Sequence, residues 1–230
     1  MKLSKGNRTV AAVLAFSVAL LVADRINFSQ VLGQQNQYFT LSQFFAPSVA
    51  SFLGIYLGMF TLGASLLVGF FIAGKAVTAT GLLLLSTPLF ASYYFANVGK
   101  KRFDPMILAV PVVAMAIFIS IPAGAGAWYY SLFWLIPIGI SIFGLGKNLL
   151  ARSLGATFTA HAVGSAIWSL AVPMTSAQWT MLLPVTATER LLFASGIAIS
   201  YVAATSIAKY ASKQYDLTPL KLEKQYALGA

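Results

Sequence analysis

The stretch SFLGIYLGMFTLGASLLVGFFIAG, residues 51–74, contains no charged side chain, and it decides the class of the protein. A helix needs about 20 consecutive apolar residues to cross the hydrocarbon core of a bilayer. Apolar stretches recur along the whole 230-residue chain, and they are continuous rather than alternating as in a barrel strand. Because helices satisfy all their backbone groups internally, continuous apolar runs favour helices in a membrane. The sequence therefore predicts an all-α, polytopic transmembrane helix bundle.

The composition agrees with a location in the cell membrane. Hydrophobic residues make up 59 % of the chain and charged residues only 9 %, whereas a soluble domain carries about 25 % charged residues. No segment is polar enough to form a soluble domain, so we predict one integral membrane domain over residues 1–230, in contact with the lipid bilayer. The net charge of +10 lies in the flanks of apolar segments, which indicates orientation in the membrane rather than binding of nucleic acid.

Basic clusters predict the orientation. They lie at the N-terminus, in the turn 99–105, between Lys147 and Arg152, and in the tail 209–230. Because basic flanks of membrane helices stay in the cytoplasm, we expect both termini and the tail to be cytoplasmic, with an even number of crossings.

The number of helices depends on the region 44–97. An even count requires three crossings there, which we place at Phe44–Phe60, Thr61–Gly74 and Gly81–Ala96. Two crossings would give seven helices, and a re-entrant later segment would give six, so the predicted range is six to eight and eight fits the basic clusters best. The remaining predicted segments are Val10–Ala23, Met106–Ile121, Trp128–Leu145, Ala156–Val172 and Leu183–Ala208. The first of these is either a retained helix or a cleaved signal peptide.

Small residues form a column on the first segment. Ala11, Ala15 and Ala19 recur every four residues and share one helix face. Such a column lets another helix backbone approach closely. The resulting packing contacts drive association between membrane helices, for which the hydrophobic driving force is missing. The partner is either another helix of this chain or a separate membrane subunit.

Two polar stripes lie on the last two predicted helices. Thr157, His161, Ser165 and Trp168 share a face of one helix. The stripe on the final helix is formed by Thr186, Glu189, Phe193, Gly196 and Ser200. A short turn joins the two helices, so they are expected to be antiparallel neighbours.

The pair Glu189–Arg190, within PVTATERLLFASG (184–196), is unusual in a chain with five acidic residues. Charges in lipid are costly, so such residues face protein or water. Three interpretations remain open: snorkelling at the helix start, an ion pair joining the last two helices, and a polar ligand pocket. We expect Glu189 and His161 to face the bundle interior opposite each other. Arg190, about 100° further round the helix, should reach the outer headgroups or attract a solute at the mouth.

Enzymatic chemistry is poorly represented, and we predict that the protein is not an enzyme. With one histidine and no cysteine, no zinc site can be composed, and neither a metal nor a cofactor is expected. A phosphate-binding loop with lysine is absent. In rhomboid proteases the catalytic serine precedes the histidine in the chain. A Ser195–His161 dyad would have the opposite order.

The small size, basic charge, alanine column, outward loop and following glycine-rich segments (YFTLSQFFAPSVASFLGIYLG, 38–58) resemble the substrate-binding S component of energy-coupling factor vitamin transporters. The resemblance implies docking of the alanine column on a membrane coupling subunit that works with ATPase subunits. It also implies a ligand site near the outer side, with the following candidate contacts: Gln34, Asn36, Gln43, His161, Trp168, Glu189 and Arg190.

The leading functional prediction is a multi-pass membrane protein that captures a small polar or anionic solute. It would serve as the substrate-binding subunit of a transporter without its own ATPase. The alternative is a structural or assembly subunit of a larger membrane complex. An intramembrane enzyme is a third hypothesis.

Overall fold

The computed structural model describes residues 4–30, 38–100 and 103–229, and these are helical almost throughout. The α-helices are α1 (Lys5–Ala23), α2 (Ser42–Phe45), α3 (Val49–Leu53), α4 (Ile55–Ile72), α5 (Ala79–Leu84), α6 (Ser86–Asn97), α7 (Pro105–Ile119), α8 (Pro122–Gly126), α9 (Leu135–Ile142), α10 (Leu149–Ala171) and α11 (Ser176–Ala211). Short 3-10 helices span Ala46–Ser48, Trp128–Trp134, Leu145–Lys147 and Lys224–Tyr226. Strands β1 (Asn27–Gln30) and β2 (Tyr38–Thr40) form one antiparallel hairpin. The predicted helical class is confirmed.

Four helices within the described ranges are long and apolar enough to cross a membrane: Gly6–Ala23, Ile55–Ile72, Ala79–Asn97 and Ser176–Ala211. Two further apolar segments, Pro105–Ile119 and Trp128–Ile142, are shorter. These lengths support a membrane protein.

One end of the bundle carries the β-hairpin, and we call it the hairpin end. Thr40 donates a hydrogen bond from its hydroxyl to the Asp24 carboxylate, over 3.1 Å. Arg25 donates from Nη2 to the carbonyl of Gly69, over 3.3 Å. The end of α1, the hairpin and the end of α4 therefore lie together.

The opposite end, which we call the tail end, holds the start of α1 and the segment after α11. Arg8 forms an ion pair with Asp216. The backbone N–H of Lys221 donates to the carbonyl of Phe52 over 2.7 Å. The basic tail is thus folded back across the bundle at the end where α3 terminates.

The division of residues 44–74 differs from the prediction. The chain reverses at Gly54, whose φ of +85° lies in the left-handed region that favours glycine. Beyond it, α4 runs without a break through positions 60 and 61, so the predicted segments Phe44–Phe60 and Thr61–Gly74 are wrong. The reversal packs α3 tightly on α4: a Cβ on Gly58 would lie 2.5 Å from the Ala50 Cα. The glycine at position 58 therefore permits a close helix crossing at that point.

Side-chain caps fix where the two polar helices begin. Asn148 accepts a hydrogen bond from the N–H of Ala151 and starts α10. Thr175 and Gln178 form a reciprocal capping box that starts α11. Only the turn 172–175 separates the two helices, and they pack against each other as predicted.

Candidate functional site around Arg190

His161 sits in a closed hydrogen-bond network. The indole N–H of Trp134 donates to Nδ1 over 3.0 Å, and Nε2 lies 3.0 Å from the Tyr130 hydroxyl and 3.3 Å from the Ser165 hydroxyl. An indole nitrogen only donates, so Nδ1 is the acceptor and the neutral ring carries its proton on Nε2. Tyr130 continues the chain to the Thr186 hydroxyl, 2.9 Å away. His161 therefore holds three helical segments together.

Arg190 faces the bundle interior, which corrects the expectation that it reaches the headgroups. Its side chain is only 8 % exposed. Nη1 donates to the Thr157 hydroxyl on α10 over 3.2 Å. The guanidinium carbon lies 4.4 Å from the ring centre of Phe193 and 5.5 Å from that of Phe39 in the hairpin. Packing among rings and against α10, rather than angular position alone, decides where this side chain points.

Glu189 is the more accessible member of the pair, and no hydrogen bond joins it to His161 within the described residues. Its side chain is 24 % exposed, and its carboxylate lies 3.4 Å from Nη2 of Arg190. His161 is instead surrounded by its aromatic and hydroxyl partners. The ion pair joins neighbouring residues of one helix, so it does not connect α10 to α11; Arg190 and Thr157 do so.

The Nε of Arg190 is buried and has no hydrogen-bond partner within the described part of the chain. A cavity of about 10 Å³ lies beside Arg190, and its wall includes Gln43 and Thr157. That volume is about enough for one water molecule. Arg190 is thus a buried cation with one long ion pair, one neutral acceptor and one free donor.

The remaining predicted contacts divide into three groups. Gln43 lies in the wall of the Arg190 cavity, and its role as a ligand contact stays a prediction. Trp168 packs against the aromatic cluster that includes Trp134, away from this wall. Gln34 and Asn36 lie outside the described residues.

The alanine column lies on an open face of α1. Ala11, Ala15 and Ala19 are all exposed, and only 6 % of the span Gly6–Ala23 is buried. The large side chains beside the column are exposed as well, namely Val10, Leu14, Val18 and Val22. The column therefore does not pack inside this chain.

Sequence reasoning did not anticipate the aromatic neighbours of the two polar residues. Tyr130 and Trp134, in the segment WYYSLFW (128–134), provide the partners of His161. Phe39 approaches Arg190 through the hairpin fold. The available signal for Tyr130 and Trp134 was an aromatic run in a chain with a single histidine. No local signal existed for Phe39.

No protein-family model, no curated protein and no solved structure matches this chain.

Proposed function

We propose that this protein captures a small anionic solute at Arg190 and serves as the substrate-binding subunit of a membrane transporter. The observation that carries the proposal is the unpaired, buried Nε of Arg190 beside a small, mostly apolar cavity whose polar wall residues are Gln43, Thr157 and Arg190 itself. An incompletely satisfied charge inside a membrane bundle is costly, and an anion would supply the missing acceptor with a charge-assisted hydrogen bond.

The hairpin acts as the cover of this site. Phe39 and Phe44 pack against Phe193, with ring centres 5.1 and 5.5 Å apart, directly beside Arg190. Because the existing cavity holds about one water molecule, a larger solute requires the hairpin to move away from α11. In this proposal the hairpin is in its closed position over Arg190.

The proposed topology places the tail end in the cytoplasm and the hairpin end outside. This proposed topology has eight passes, namely α1, 42–53, α4, α5–α6, α7, 128–142, α10 and α11. Four of them, α1, α4, α5–α6 and α11, are long and apolar enough to cross a membrane. The basic tail and the 99–105 turn then lie inside, as the positive-inside rule requires. Reporters fused at residues 2 and 230 should both report the cytoplasm, and an exterior C-terminus would contradict this arrangement.

Anion protection of the purified protein tests the site. Thermal unfolding is measured with small carboxylates and inorganic anions at constant ionic strength, for the wild type, Arg190→Gln and the control Lys75→Gln. Lys75 is an exposed cation just beyond α4, at the same end of the bundle, so the control loses the same charge. We expect one anion class to protect the wild type and the control but not Arg190→Gln.

Glu189→Gln sharpens the same test. Removing the carboxylate that partly neutralises Arg190 should tighten anion binding, because a bound anion then no longer competes with Glu189 for the positive charge of Arg190. Equal protection of all variants would show a surface effect, and absence of protection in the wild type would favour the alternative below.

The alternative function is an assembly subunit of a membrane complex, and the open face of α1 favours it. Small residues in a column permit close helix association, and Ala11, Ala15 and Ala19 present such a column outward. A docking subunit and a solute-binding subunit are compatible, because the S component family combines both roles. Without anion binding, only the docking role would remain.

A further inference from the structure

A second cavity lies at the tail end, far along the bundle from the hairpin. Its volume is about 410 Å³, within the range of about 300–1,000 Å³ that is typical of small-molecule sites. The loops 98–100 and 144–148 and the folded-back tail form its walls. The lining residues that the argument uses are Lys100, Lys147, Arg152, Glu223 and Gln225.

The charges in this cavity do not balance. Lys100, Lys147 and Arg152 contribute three positive charges and Glu223 one negative charge, so two positive charges are left over. Glu223 is already held by Arg152 through two hydrogen bonds of 2.9 and 3.1 Å. Within the described residues, neither lysine has a carboxylate within 4.0 Å.

The walls of the cavity are fixed by backbone contact. A Cβ on Gly146 would lie 2.5 Å from the carbonyl oxygen of Val98, so the loops on either side touch through their glycines. Tyr226 donates a hydrogen bond from its hydroxyl to the carbonyl of Lys147 over 2.6 Å, which holds the tail on the same loop. The two lysines therefore lie on loops that contact each other and the tail, and both border the same cavity.

Lys100 is only partly compensated by the nearby charge of Glu223. Desolvation lowers the pKa of its ammonium group and the positive charge of Arg152 lowers it further; the charge of Glu223 raises the pKa, but the net shift is still downward. An anion placed between the lysines would reverse both the charge imbalance and this electrostatic cost.

We propose that the tail-end cavity binds a phosphate-bearing anion between Lys100 and Lys147. A phosphate group carries up to two negative charges, which match the two unpaired positive charges, and lysine binds phosphate as a point charge. Arg152 does not bind the phosphate directly, because its terminal nitrogens are hydrogen-bonded to Glu223. The Arg152–Glu223 pair instead forms part of the cavity wall. The phosphate belongs either to a soluble molecule or to a lipid headgroup at the same membrane surface.

The experiment compares Lys100→Gln/Lys147→Gln with the control Lys213→Gln/Lys224→Gln. The control removes the same charge at the same end, from lysines that do not line the cavity. Pyrophosphate is titrated against each protein in a neutral detergent at fixed ionic strength, with thermal unfolding as the readout. In parallel, each protein is placed in phosphatidylcholine nanodiscs with and without phosphatidylglycerol.

We expect the double lysine variant to bind at least about tenfold more weakly than the control, which is about 1.4 kcal/mol at 25 °C. Loss of pyrophosphate protection in that variant alone identifies a soluble phosphate ligand. Loss of phosphatidylglycerol protection in that variant alone identifies a lipid headgroup. Equal responses in the cavity variant and the control, or no response in either the control or the wild type, overturn the proposal. The single variants Lys100→Gln and Lys147→Gln, each expected to show part of the loss, provide the measurement if the double variant does not fold.

The test is independent of the hairpin-end site. Arg190→Gln should leave the pyrophosphate and phosphatidylglycerol responses unchanged, since Arg190 does not line this cavity.

Discussion

Two buried arginines, Arg152 at the tail end and Arg190 at the hairpin end, occupy similar depths in protein but differ in how their donors are satisfied. Arg152 donates from Nε to the carbonyl of Phe95 and from Nη2 to the Ser51 hydroxyl, and it binds Glu223 with both terminal nitrogens. Arg190 has one hydroxyl acceptor, a long pair with its neighbour, and a free Nε.

The difference separates a structural cation from a candidate binding cation. Buried ionic groups are tolerated when their geometry and hydrogen bonding are complete, and Arg152 meets that condition through residues from α3, α6 and the tail. Arg190 does not meet it within this chain. A missing acceptor at a buried guanidinium is the feature that an external anion could complete.

The largest expected effect comes from Arg152→Met. Removing one partner of a buried pair leaves the other charge uncompensated, which costs about 3–5 kcal/mol. Glu223 keeps 29 % of its side chain exposed, so the lower figure, about 3 kcal/mol, is expected in the free energy of unfolding. Thermal and denaturant unfolding of the purified protein measure it.

The matched change Arg190→Met serves as the contrast. Because its donors are incompletely paired, we expect a loss of no more than about 1 kcal/mol. Equal losses at both arginines would break the distinction between them.

His161→Phe should have the next largest effect. This histidine lies near Arg190, yet its ring nitrogens are as fully paired as the donors of Arg152. The change leaves the buried indole N–H of Trp134 without an acceptor, which costs about 1–3 kcal/mol. If His161→Phe unfolds like the wild type but no longer binds the anion, His161 belongs to the ligand site and does not stabilise the fold.

A smaller effect follows from the acidity of Glu223. Burial acts to raise its pKa, but the hydrogen bonds and charge of Arg152 outweigh burial, so the pKa is lowered overall. A carboxyl group with a lowered folded-state pKa stabilises the protein above its unfolded value, about 4.3, and this stabilisation is lost as the pH falls through the folded value.

Tail docking should therefore hold at neutral pH and weaken in acid. Limited proteolysis of the tail across the pH range is the measurement, with Glu223→Gln as the control that already lacks the charge. The variant should lose about 1–2 kcal/mol at neutral pH and show a flatter acid profile than the wild type. A tail equally protected at all pH values in both forms would show that the Arg152–Glu223 pair does not hold it.

The smallest effect on stability is expected from Ala15→Leu/Ala19→Leu. Both alanines are exposed, so unfolding of the isolated chain should change by less than about 0.5 kcal/mol. Recovery of a partner subunit by copurification should be abolished, because leucine prevents close backbone approach. Destabilisation of the isolated chain would instead show that α1 packs within it.

The helical class, the approximate places of the segments after residue 97 and the pairing of α10 with α11 could be predicted because each rests on local apolar runs and short turns. The starts of α10 and α11 were each placed seven residues too late, so Arg152, expected in a turn, lies inside α10. The division of 44–74 could not be predicted, since the reversal depends on one glycine adopting a positive φ while α3 packs against α4. The orientation of Arg190 was predicted wrongly. Helical angle gave the relative direction of Glu189 and Arg190, but contacts with Phe193, Phe39 and Thr157, from three different segments, bury the arginine.

In the proposed eight-pass topology, residues 42–53 form a short pass before Gly54, and this would have a consequence for biogenesis. Residues 42–53 span roughly 19 Å as helix, well below the ~30 Å of the hydrocarbon core. A segment of this length does not meet the requirement for independent insertion from the translocon, whereas α4, with 18 residues, does. The tight reversal at Gly54 lets the two enter together as a helical hairpin. The strand pair that precedes the short pass is then drawn below the headgroups, with its backbone hydrogen bonds already partly satisfied.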